Sequence, residues 1–152
     1  MKKYSLLLVA LLAGCGTIDK AMDAFLQKFD ANEYKLITDI RTNAGLAKLD
    51  CADPQKSRKN VERIWVSALS LKNYAENLPH NKPIQETSKQ MFDMVEAIQK
   101  EYQTKEKVSK IYCEAKLGNI ENNANTMQQI EGSKRSEEHT SELQSHSFIS
   151  YA

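Results

Sequence analysis

The chain has 152 residues, 21 Lys and Arg against 20 Asp and Glu, and a formal net charge of +1. That length suits one domain with a modest core. The interspersed, nearly balanced charge excludes the basic footprint of a nucleic-acid binder and a polybasic grip on anionic lipid.

The chain opens with Met1-Lys2-Lys3, runs almost wholly apolar over 5–12, and closes that run with Leu12-Ala13-Gly14-Cys15. A basic start, a short apolar core and small residues at a cut point make a secretory leader. The run is well short of the roughly 20 residues of a transmembrane helix. Leu12-Ala13-Gly14-Cys15 resembles the lipobox of bacterial lipoproteins, in which Leu12, Ala13 and Gly14 would be read by the signal peptidase and Cys15 acylated. The resemblance covers residues 1–16 only. It implies a leader over 1–14, a diacylglycerol on the Cys15 sulfur (a palmitate-type anchor) and a tether over 15–29. Gly16, rather than Asp, implies an outer-membrane lipoprotein facing the periplasm; the alternative is the outer face of the plasma membrane.

Beyond the tether the punctuation is sparse and the periodicity helical. Met22, Phe25, Leu26 and Phe29 form a short apolar face, a helix of a turn or two. Asp30-Ala-Asn-Glu33 has the form of a capping box. It precedes Ile37, Ile40, Ala44, Ala47 and Cys51 at three-four spacing, which predicts a helix over 31–50. Asp53-Pro54 is an N-cap with proline in the first turn. Val61, Ile64, Ala68, Leu71, Ala75 and Leu78 follow, with Trp65 and Leu69 widening the stripe, and Pro79 stops a second helix over 54–78. A third, over 83–131, carries Ile84, Met91, Val95, Ile98 and Tyr102. It resumes through Val108, Ile111, Tyr112, Ala115, Leu117, Ile120, Ala124 and Met127. Any break in it falls in the polar stretch 103–107 or near Gly118. The fold class expected is all-α: an up-down three-helix bundle over 30–134 after a short N-terminal helix.

With Cys15 given to lipid, Cys51 and Cys113 remain, and an exported chain invites their pairing. If the second and third helices form a hairpin about residues 80–81, Cys51 faces about residue 110, within one turn of Cys113. Unpaired, the two would be small buried hydrophobes. They lie too far apart in sequence for a Cys-x-x-Cys redox site.

Other chemistry is thin. His80 is the one histidine before residue 135, in a Pro-flanked turn, and one histidine builds no zinc site. Glu33 with Asp39, or Asp93 with Glu96, could be drawn as a glycosidase dyad, but their spacing reads as solvated helix faces. No phosphate loop or nucleophile elbow is present. Trp65 reads as core. Phe25 and Phe29 read either as the base of the bundle or as a contact with the membrane interface or a partner.

The last segment, RSEEHTSELQSHSFISYA over 135–152, resembles a translated short-read sequencing adapter. Arg135 to Ser145 matches one constant segment and Ile149 to Ala152 the next, with an index between them. The resemblance implies that 135–152 is a non-native tail, so His139 and His146 should not be taken for metal ligands.

The expectation is a non-enzymatic, membrane-anchored helical interaction or structural module. It has no cofactor beyond covalent lipid, no metal, and an envelope protein as partner. A phage-derived lipoprotein for superinfection exclusion or lysis is the first alternative, and a cell-wall hydrolase the second.

Overall fold

The computed structural model describes residues 28–78 and 81–149, of which 137–149 by backbone alone. All regular structure among the described residues is helical. The first helix, α1, spans Ala31–Ala47. Asp30 sits extended before it, and its Oδ1 accepts from the amides of Asn32 and Glu33 at 2.8 and 3.0 Å, satisfying two donors that the first turn leaves open. A 3-10 turn, Lys48–Asp50, prolongs it.

The second helix, α2, spans Pro54–Glu76. Its N-cap is Asp53, whose Oδ1 takes the amides of Gln55 and Lys56. The Lys56 amide, with that of Gln55, holds the Asp53 carboxyl below its usual range. The third, α3, spans Lys82–Thr104 with proline in its first turn. The fourth, α4, runs over Lys110–Ile149, and Ser109 Oγ accepts from the Tyr112 amide at its start.

The third helix of the sequence reading is therefore two helices, divided at 105–109. The polar run there buries little besides Val108, which packs against the core. The turn is instead tied to α2, with Arg58 Nη2 donating to the Lys105 carbonyl at 3.0 Å. Gly118 does not break α4, because its surroundings are open and it costs only propensity. The division also resets the helical phase. Ile111 is 81% exposed and Ala115 is exposed, contrary to the periodicity reading. The buried line of α4 is Cys113, Leu117, Ile120, Ala124 and Met127.

The other stripes are where the spacing put them. Ile37, Ile40, Ala44, Ala47 and Cys51 are buried, as are Val61, Ile64, Ala68, Leu71 and Ala75, and Ile84, Met91, Val95, Ile98 and Tyr102. Each large aliphatic member contributes roughly 1.5–3 kcal/mol by leaving water. Trp65 is half-buried against this core, its ring 6.1 Å from that of Phe92 on α3.

Helix α1 packs against α4 and α2, α2 packs also against α3, and α3 and α4 share the narrowest seam. Neighbours run antiparallel along α1 and α4, where Arg41 donates to Gln128 at 2.8 Å and Lys48 pairs with Glu121 at 2.5 Å. The same sense holds along α1 and α2. Asn60 donates to Asp50 at one end of that pair, and Tyr74 to Asp30 at the other.

Cys51 and Cys113 are joined by a disulfide, with Cα atoms 5.7 Å apart and a sequence separation of 62. The expected pair meets by a different route. Cys113 does not lie on a helix hairpinned to α2; it lies in the first turn of α4, which returns antiparallel to α1 after the break. The expected leader with Leu12, Ala13, Gly14 and Cys15, residues 22–27 of the expected N-terminal helix, and His80 lie outside the described residues. No helix among the described residues is long and apolar enough to cross a membrane.

Candidate functional site: a buried carboxyl pair at the entry end

Of the carboxylates singled out in the sequence, three pair with lysines. Asp39 pairs with Lys35 at 2.7 Å, Asp93 with Lys89, and Glu96 with Lys100 at 2.9 Å. All three are spaced four residues apart on exposed helix faces, where such pairs contribute about 0.3–0.5 kcal/mol. No cluster of three or more His, Cys, Asp or Glu among the described residues could hold a metal ion.

Glu33 behaves otherwise. The capping box that should turn it back toward Asp30 is only half formed, because Asp30 accepts from the backbone while the Glu33 carboxyl points inward. Glu33 is 0% exposed. It continues the buried line of α1 one turn before Ile37. Opposite it, Glu131 continues the buried line of α4 one turn beyond Met127 and is 2% exposed. Two helices thus each present a carboxyl at a position reserved for an apolar side chain.

The Glu131 carboxyl faces Glu33 closely enough to disfavour its ionisation. No donor among the described residues reaches either oxygen of Glu33, or Oε2 of Glu131. Lys134, its side chain 14% exposed, forms an ion pair with Glu131 Oε1. Two carboxylates can only accept, so a bond between them exists only if one keeps its proton. Burial is the main cause that pushes Glu33 up to about 8. The Glu131 hydrogen bond and charge and the Asp30 charge add to the rise, and Lys134 opposes it. The arrangement is a buried carboxyl that resists ionisation, facing a second carboxyl paired with an ammonium.

The surroundings close it in. Tyr74 on α2 donates to Asp30 Oδ2 at 2.8 Å. Tyr34 stands 3.8 Å from where a Cβ on Gly132 would lie. The Phe29 ring meets that of Tyr34 at a tilt of 54° with centroids 5.7 Å apart, and the Arg135 guanidinium lies 5.5 Å over the Phe29 ring. Phe29 is thus engaged at the end of the bundle. A carboxyl pair sealed this way has no surface for a polysaccharide, which a glycosidase dyad must touch on both sides of the scissile bond.

Two hollows lie nearby. An apolar one of about 100 Å³ opens between α3 and α4, lined by Pro83, Ile84, Met127 and Ile130 among others. A shallow groove of about 280 Å³ runs between α1 and α4 past Arg41, Gly45, Glu121 and Gln128. Sequence reasoning missed the Glu33–Glu131 pair. The available signal was phase: Glu33 sits four residues before Ile37, and Glu131 four after Met127, on the apolar lines. No protein-family model, curated protein or solved structure matches this chain.

Proposed function

We propose that the chain is a lipoprotein of the bacterial envelope, anchored through lipid on Cys15. Its helical domain would serve as a non-enzymatic interaction or structural module facing the periplasm. The observation that supports this reading best is the Cys51–Cys113 disulfide. Such bonds persist in oxidising compartments, where a leader ending in Leu12-Ala13-Gly14-Cys15 would deliver the chain. In this reading the four helices act as an up-down bundle over 30–134, and 135–152 is adapter-derived. Several acyl chains hold durably, whereas one binds marginally, since each buried methylene contributes about 0.8 kcal/mol.

The test is metabolic labelling with a radiolabelled or alkynyl palmitate, followed by envelope fractionation. The expected result is label in the chain and recovery with outer membranes, both lost in Cys15→Ser. An unlabelled chain recovered in the cytosol with its leader uncut would refute the reading. Labelled chain in inner membranes alone would correct the address.

A further inference from the structure

We propose that Glu33 and Glu131 form a proton-dependent latch: one shared proton fastens the first turn of α1 to α4, and its loss loosens that end of the bundle.

Three carboxyl oxygens, both of Glu33 and Oε2 of Glu131, are buried with no N–H or O–H of another described residue upon them. Left as two anions, they would be like charges in a site of low polarisability, with a single ammonium between them. Left as one acid and one anion, they satisfy each other. The Glu33 hydroxyl donates to Glu131, and Lys134 neutralises the remaining charge through Glu131 Oε1.

Every charged neighbour has its place in this account. On α4 these are Glu131 and Lys134; before α1 it is Asp30, which disfavours ionisation of Glu33. On α2 it is Tyr74, which is held by Asp30 and itself feels the Glu33 charge. Among the described residues no charged group of α3 acts on Glu33. One end of the fold is closed by Cys51–Cys113, so the parting falls at the opposite end, where α1 begins. Loss of the proton therefore has a local consequence. The latch lies beyond the reading of the chain as a lipoprotein and does not depend on it. An exported chain, however, would meet ambient rather than cytosolic pH.

The test is hydrogen exchange on the full chain, with rates corrected for intrinsic pH dependence. It compares peptides over 31–37 in the unaltered chain with the same peptides in Glu33→Gln. Between pH 5.5 and 7.5 the protection of 31–37 in the unaltered chain should fall, approaching the limit of about tenfold per pH unit set by one proton. Glu33→Gln, whose amide donates to Glu131 at every pH, should abolish that slope while keeping the protection. A flat wild-type profile overturns the latch, and so does an unchanged slope in Glu33→Gln. Should that variant fail to fold, carboxyl-carbon NMR of the unaltered chain decides. Glu33 titrating well above the ordinary carboxyl range supports the latch, and both carboxyls titrating within it overturn it.

Discussion

Tyr74 donates its hydroxyl to Asp30 Oδ2 at 2.8 Å, while Asp30 Oδ1 caps α1. One carboxylate therefore both starts the first helix and ties it to the last turn of the second. Asp30→Ala removes the cap and leaves the Tyr74 hydroxyl unmatched, so it should cost about 1–2 kcal/mol. Tyr74→Phe removes only the tie and should cost about 0.5–1.5 kcal/mol. Urea denaturation of the two variants and their double mutant should show less than additive losses, because the two changes share one contact.

The disulfide closes a long loop, its cysteines 62 apart in sequence. In the chain-entropy treatment such a closure contributes roughly 4 kcal/mol, with measured values of about 2–5 kcal/mol on removal. Paired Cys51→Ser and Cys113→Ser should lower the denaturation midpoint accordingly. Thiol titration of the denatured, unreduced chain should find no free thiol at either position.

Stability should depend on pH through Glu33. Its carboxyl is raised in the fold from 4.5 to about 8, so between those values the folded chain holds a proton that the unfolded chain has released. Stability from this group is full at acid pH, declines as pH rises through the window and is flat above it. Urea midpoints at pH 5 and pH 8.5 should differ in that direction, and Glu33→Gln should remove most of the difference.

Gly45 brings α1 close to α4: an added Cβ would stand 3.0 Å from Glu121 Oε1. That atom is the end of a flexible side chain engaged with Lys48. Gly45→Ala gains about 0.5–1 kcal/mol of helix propensity against a part-exposed ion pair worth no more than about 1 kcal/mol. The net change should be small. In a Glu121→Ala background the full gain should appear, which a double-mutant cycle of thermal midpoints will read.

Two isoleucines test where the core lies. Ile64 is 0% and Ile111 81% exposed. Ile64→Ala should cost about 2–5 kcal/mol, and Ile111→Ala less than about 0.5 kcal/mol. On periodicity alone the two looked alike.

The helical class, the stripes of α1, α2 and α3, and the capped starts at Asp30 and Asp53 could all be read along the chain. Each depends on residues within a turn or two of one another: spacing that selects one face, an acceptor ahead of bare amides, a proline in a first turn. The cysteines could be matched as a pair by count and compartment. Their route together was misread, because the hairpin argument assumed one unbroken helix through residue 105.

Assembly alone settled the remainder. Whether the polar run at 103–107 interrupts a helix depends on what the neighbouring helix offers it, here Arg58. Once α4 restarts, its phase follows from packing on α1, which exposes Ile111 and buries Cys113. Glu33 and Glu131 lie far apart along the chain, and each alone is an ordinary surface-type residue. Only the antiparallel seating of α1 on α4 places them together in the dark, where the cost of burying charge turns two common side chains into one proton site.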